Sequence, residues 1–414
     1  MSDFEFAYVD YTPDLVAYNS DKIKTKLYTP KNSSTEYKIL NYDDNIVCDN
    51  DIELGQYRSI IVNPENNQLL CFTPPKSLTT DYFKTIYPNV YADAKESPIF
   101  VNEIIEGTMI TLFYDPRIES WEIASKSAIG GNYWFYRTQY NVHVEDKEVA
   151  QPTFRKMFLD ALRACDMQDI NDLVQLQDFS KEYCYNFILQ HPSNHIVLHV
   201  IAPVLYLVSV FHLKGSVATS IPAPIYEEWN CFMGLNGLIA FPRRFEDMSY
   251  DELETTYCSA NSPHNMVGLM ITNLKTCMRT CIENKTYNEV RELRGNNPNL
   301  QYQYLCLLKI GKVMDFLRYF PQYKQLFYRF YKQVQEFVTN VHQSYMSYYI
   351  QKTGAMISKK YFPIIYKLHH NIYLTSLGEG KEKIIMRRSE IGKHVIAMAP
   401  SELIYYLNYN KNVE

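Results

Sequence analysis

The segment ENKTYNEVRELRGNNPN sets Lys285, Tyr287, Arg291 and Arg294 close together. Cations beside an aromatic ring suit contact with an RNA backbone and its bases. The same residues suit a solvated helix face, and both readings stay open. Lys126 stands between Ser125 and Ser127 in ASKSAIGG, where the two hydroxyls could bond a phosphate or only the local turn. Arg58 and Lys76 lie near the two ends of YRSIIVNPENNQLLCFTPPKS; by default such charges are solvated. Glu106-Gly107, taken alone, reads as a strand end with a turn. His191 and His195 are four apart, but Pro192 rules out one shared helical face. They read as turn residues, not metal ligands. Asp43-Asp44 has no supporting context, and Gly378-Glu379-Gly380-Lys381 lacks the spacing of a phosphate loop and reads as a turn.

The elements that must position these residues change character along the chain. Residues 1–45 are polar and turn-rich, and a loosely attached N-terminal extension is expected over 1–50. Then come two apolar runs with a turn at Asn63–Asn67, a hairpin closed by Pro74 and Pro75. IFVNEIIEGTMITLFYD and WEIASKSAIGG read as a further strand pair. FRKMFLDALRACDM has apolar residues at helical spacing, YCYNFILQ and NMVGLMITN read as strands, and IVLHVIAPVLYLVSVF reads as one or two buried strands. An α+β domain over 51–300 is the expected sum. After 300 the period becomes helical. Tyr323, Phe327, Phe330, Val334, Phe337, Val341, Tyr345 and Tyr348 form one stripe on a long helix after Pro321. Such a stripe reads as core, in a helical domain over 301–414.

Composition narrows the classes. The 414 residues are 46% hydrophobic and 21% charged, which allows a sizeable core. A net charge of −5 excludes wholesale coating of nucleic acid but leaves room for a local basic groove. No apolar run reaches the roughly 18–20 residues of a membrane span. The start MSDFEFAYVD lacks the features of a signal peptide, and nine unpaired cysteines read as free thiols in a reducing compartment. Thirty-six tyrosines against 14 glycines match the coding bias of an AT-rich genome such as that of a large DNA virus.

Four segments in order carry a resemblance: YRSIIVNPENNQLLCFTPPKS; NEIIEGTMITLFYD with WEIASKSAIGG; NFILQHPSNHIV; and NMVGLMITN with MRTCIENKTYNEVRELRGNNPNLQYQYL. Together they resemble the ATP-dependent RNA ligases of the phage tRNA-repair type, and more closely a giant-virus branch of that family. The resemblance covers roughly residues 55–310. It implies a nucleotidyltransferase domain followed by a helical domain that helps choose the RNA. Such enzymes pass AMP from ATP to a lysine, then to an RNA 5′-phosphate, and need a free amine and carboxylates that hold a metal.

The resemblance also implies what has been lost. The family's Lys-x-Asp-Gly falls on Ile104-Ile105-Glu106-Gly107, so Ile104 stands where the nucleophile should be. Ile188 and Val267 replace two glutamates, and Cys281 replaces a lysine. The residues that match are Arg58, Lys76, Glu106, Gly107, Lys126, Gly268 and Arg279, expected around a nucleotide. Lys76 could supply the amine from a neighbouring strand end. Three functions follow. One is a degenerate ligase that binds RNA or nucleotide; the second is an active divergent ligase for viral RNA repair, using Lys76, ATP and magnesium; the third is a virion-associated scaffold with viral protein partners. Loss of the acids argues against a tightly held metal. The expected setting is the host cytoplasm, a viral factory or the virion, with no membrane contact.

Overall fold

The computed structural model describes residues 7–15, 21–30, 33–43, 45, 47–88, 99–133, 152–176, 178–232, 238–295, 297, 299–354, 356–378 and 383–409. Gly380 and Lys381, and with them most of the expected turn at 378–381, lie outside the described residues. The described residues up to 291 form one compact unit and those from 292 onward another.

The first unit is built from three antiparallel sheets. The largest runs in the order Val9–Tyr11, Val217–Ile221, Val204–Lys214, Tyr183–Gln190, Thr108–Asp115, Ser120–Ser125, Ala128–Ile129, with Ile239–Ala240 added in parallel to Val204–Lys214. One face carries Ile110, Leu112, Phe187 and Leu207 against the helix Phe154–Arg163. That helix starts where the Thr153 side chain accepts from the Lys156 amide, and it buries Phe154, Met157, Phe158, Ala161 and Leu162. The other face packs Phe113, Cys184 and Phe211 against a second sheet of Ile23–Tyr28, Tyr37–Tyr42, Ile60–Val62 and Leu69–Phe72. A third sheet is ordered Arg244–Phe245, Ile99–Glu103, Gly268–Asn273, Arg279–Glu283. It has its own core with the helix Thr80–Ile86, through Phe83, Leu269 and Ile271.

Two expectations need correction. The N-terminal residues are not a loose extension: Val9–Tyr11 pairs with Val217–Ile221, and Tyr37–Tyr42 sits between two strands with Tyr37, Ile39 and Leu40 buried. The run from Ile196 is not strand until Val204. Its first amides serve a side chain instead, as described below. The turn at Asn63–Asn67 forms; Asn67 takes φ +54°, a conformation asparagine tolerates well, and its amide donates to the Asn63 carbonyl at 2.9 Å.

Among the described residues the second unit contains helices and no strand. The helix Lys324–Tyr345 buries Phe327, Phe330, Val334, Phe337, Val341 and Tyr345 along the expected stripe. Tyr348 departs from it. Residues Met346–Ile350 form a π-helical turn, whose wider winding moves the following side chains off the stripe, and Tyr348 is 44% exposed. No helix among the described residues is long and apolar enough to cross a membrane.

Candidate functional site

Tyr42 ends the Tyr37–Tyr42 strand, and cations from separate segments gather on it. Lys76 Nζ lies 5.8 Å from its ring centroid and Lys126 Nζ 5.3 Å. Backbone bonds set these lysines in place. Asn41, next to Tyr42, donates from Nδ2 to the carbonyls of Arg58 at 2.8 Å and Lys126 at 2.9 Å. Ser59 Oγ donates to the same Lys126 carbonyl at 3.0 Å. The Lys76 amide donates to the Gly55 carbonyl at 2.9 Å.

Arg279 reaches this place from the last strand of the third sheet. Its Nε donates to the Pro75 carbonyl at 3.0 Å and Nη2 to the Pro74 carbonyl at 3.1 Å, with a further short bond from Nη2 to Pro75. Burial, and after it the like charge of Arg58, pulls the Arg279 guanidinium below its ordinary value; Tyr11, Cys281 and Tyr42 act the other way. Arginine still keeps its proton at neutral pH. Cations crowded in this way are relieved by a bound anion, and that is the chemistry the arrangement offers. Lys76 is engaged already: its amine donates to Asp49 Oδ1 at 2.9 Å and to the Val47 carbonyl at 3.4 Å.

Glu106 lies elsewhere in the unit and faces inward, 6% exposed. Its carboxylate accepts from the amides of Ile196 at 2.6 Å, Val197 at 3.0 Å and Leu198 at 3.1 Å, and from the Tyr287 hydroxyl at 2.7 Å. The expected nucleotide-contacting acid is therefore spent on the protein's own backbone. The same bond corrects the RNA reading of Tyr287, whose ring is 2% exposed. Arg294 is also buried, over the Tyr323 ring at 5.6 Å, whereas Lys285 is exposed near Glu254 at 3.5 Å and Arg291 is exposed. Lys285, Tyr287, Arg291 and Arg294 thus present no common exposed face.

The two matched glycines are places of close approach. A Cβ on Gly107 would stand 2.6 Å from the Leu189 carbonyl oxygen, and one on Gly268 would press on the Ile282 carbonyl of the neighbouring strand. Gly268→Ala should cost about 1–3 kcal/mol, because two paired strands must part to admit the methyl group. Urea unfolding checks this: an unchanged midpoint would mean that the strands separate freely.

Between the largest sheet and the third sheet lies a cavity of about 90 Å³, with Phe100, Asn102, Met270 and Arg279 on one side and Val208 and Ser209 on the other. Asn102 Oδ1 and Ser209 Oγ are buried without a hydrogen-bond partner. Ile104 continues the Ile99–Glu103 strand, its amide donating to the Gly268 carbonyl at 2.9 Å. A hydrocarbon side chain thus follows the strand that forms one wall of the cavity. His191 and His195 sit in a turn, where His191 Nδ1 accepts from the Ser193 amide at 3.0 Å and His195 Nδ1 is 2.8 Å from the Pro192 carbonyl. Asp43 pairs with Lys24 at 2.8 Å. Among the described residues no group of three or more His, Cys, Asp and Glu side chains is placed to hold a metal ion.

Sequence reasoning had brought Arg58, Lys76, Lys126 and Arg279 forward but missed Tyr42, Asn41 and Asp49. The alternation of Tyr37-Lys38-Ile39 was the available signal for the strand that carries Tyr42 and Asn41.

No family model matches the chain. It is 22% identical over 198 residues to the Immediate-early protein ICP-46 homolog of Invertebrate iridescent virus 6, a match that takes in 46% of this chain and 42% of that relative. Similar solved structures include an RNA ligase of Naegleria gruberi. One variant of it with ATP and Mn gives a TM-score of 0.32 at 9% identity, covering 47% of this chain and 51% of the ligase. Another, in the apo form, gives 0.32 at 10% identity, covering 46% and 50%. The chain thus spans about half the length of the ligases and less than half of the viral relative.

Proposed function

We propose that this is an RNA ligase-like protein that holds an RNA phosphate or a nucleotide among Arg58, Lys76, Lys126 and Arg279 and does not form a lysine–nucleotide adduct. The observation that carries the reading is the gathering of Lys76 and Lys126 on Tyr42, with the Arg58 and Lys126 backbones tied together by Asn41. In this reading the aromatic ring and the cations bind one phosphate-bearing strand end. In the resemblance the adduct forms on an amine at the position of Ile104, and isoleucine has none. A catalytic metal fits poorly. Glu106 is committed to three amides and a hydroxyl, and Ile188, Val267 and Cys281 supply none of the hard carboxylate oxygens that magnesium prefers. We place the activity on viral RNA in the cytoplasm or viral factory of an infected cell.

A second reading is an active divergent ligase in which Lys76 is the nucleophile. Its support is the position of that amine beside Tyr42; the ion pair with Asp49, whose side chain is 71% exposed, must open to free the amine that the reaction needs. Incubation with α-labelled ATP and magnesium or manganese, then denaturing electrophoresis, separates the two. The degenerate reading expects no retained label. Label that disappears in Lys76→Ala would overturn it in favour of the ligase.

A further inference from the structure

The second unit carries an aromatic surface that neither the cation cluster at Tyr42 nor the helical core uses. Tyr348, Phe362 and Tyr366 are 44%, 40% and 49% exposed. With exposed His370 they form a continuous row: ring centroids are 5.7 Å apart for Tyr348–Phe362, 6.4 Å for Phe362–Tyr366 and 4.2 Å for Tyr366–His370. A second layer stiffens the row from behind. Tyr349 stacks on His369 at 3.7 Å, and the Tyr345 hydroxyl lies 3.1 Å from His369 Nδ1.

Two π-helical turns, Met346–Ile350 and Leu368–Tyr373, hold Tyr348, Tyr349, His369 and His370. Such turns are uncommon and tend to mark functional places. Without the first, Tyr348 would continue the buried stripe.

Charge identifies the occupant. Residues 337–378 contain no aspartate or glutamate but hold Lys352, Lys359, Lys360 and Lys367, in a chain whose net charge is −5. Lys352 and Lys359 are exposed and lie between Tyr348 and Phe362 in sequence. Lys367 pairs with Glu402 at 3.1 Å, so Lys352 and Lys359 are the cations offered beside the exposed rings. Exposed rings with such lysines match a single strand of nucleic acid, whose bases stack on rings while its phosphates meet lysines.

We infer that the row Tyr348, Phe362, Tyr366 and His370 is a stacking platform for single-stranded RNA, separate from the cation cluster at Tyr42. The inference takes RNA as the ligand from the proposed function, but it needs nothing from that cluster.

The test is fluorescence anisotropy of the full chain with a labelled oligouridylate of about 20 nucleotides, across a salt series. Tyr348→Ala and Tyr366→Ala should each weaken binding on the order of 10-fold. Tyr366→Phe should restore wild-type affinity, because stacking needs the ring and not the hydroxyl. Lys352→Ala with Lys359→Ala should flatten the salt dependence. Unchanged affinity in both alanine variants, with binding lost when Lys126 and Arg58 are reversed in charge, would overturn the platform and leave the cation-cluster reading standing. Loss in the platform variants alone would support the platform and remove the cation cluster. A wild-type chain that self-associates through these rings, seen by sedimentation, with RNA affinity indifferent to their removal, would overturn the inference in favour of a protein contact.

Discussion

Glu106→Ala should destabilise the first unit by about 3–5 kcal/mol, one of the largest losses expected from any single substitution in this chain. The carboxylate is 6% exposed and satisfies the amides of Ile196, Val197 and Leu198 as well as the hydroxyl of Tyr287. Removing it leaves four donors facing a void at once. Each unsatisfied donor costs about 1–3 kcal/mol, and partial access of water to the 196–198 loop keeps the total below their sum. Glu106→Gln should recover little: its amide offers one acceptor oxygen and turns an NH₂ toward a donor. Tyr287→Phe removes one donor and keeps the other three satisfied, so about 1–2 kcal/mol is expected. In calorimetry the alanine variant should lower Tm by roughly 10 °C. If Glu106 faced a ligand instead, Glu106→Gln would leave Tm where it was and remove nucleotide binding; that result would sink the structural role.

This residue also shows where sequence reasoning stopped. Glu106-Gly107 was legible as a motif because its neighbours in the chain define it. Its partners are 90 to 92 residues away in the loop and 181 away at Tyr287, and no local pattern reports such a pairing. The same bonds explain the misread strand. Ile196–Leu198 is apolar enough for a sheet, but its amides are satisfied by a carboxylate, so the ladder begins only at Val204. Tyr42 was missed for a different reason: a polar, turn-rich setting hid a strand that pairs on both sides. Arg58, Lys76, Lys126 and Arg279 were found because segment order pointed to them. Their grouping is a matter of three dimensions, set by Asn41, which ties the backbones of Arg58 and Lys126 together. The helical stripe was legible up to Tyr345, and the π-turn that ended it leaves no mark on hydrophobic periodicity.

Reversing the charge of Arg58 and Lys126 together, as Arg58→Glu with Lys126→Glu, should weaken binding of a single-stranded oligoribonucleotide on the order of 100-fold or more at about 0.1 M salt. Each cation contributes a charge-assisted bond to phosphate worth about 1.5–3 kcal/mol, and each reversal adds repulsion where attraction stood. The slope of log affinity against log salt should fall by about 0.7 for each phosphate no longer neutralised. The fold should survive, because Asn41 and Ser59 bond to the backbone carbonyls at these positions and not to their side chains. Lys76 is left out of the pair deliberately: a glutamate there would face Asp49 at close range and mix a stability effect with a binding effect. Arg279 is left out because its guanidinium holds the Pro74–Pro75 backbone. Lys285→Gln with Arg291→Glu is the control, glutamine standing at 285 because a glutamate there would face Glu254. Those side chains are exposed, and the residues between and beyond them, Tyr287 and Arg294, are buried, so the helix offers no continuous basic face. Its effect should be within a few-fold of wild type. A large drop in affinity in the control and none in the Arg58–Lys126 pair would move the RNA from the cation cluster to that helix. Equal drops in both would mean that nucleic acid senses only the net charge of the chain.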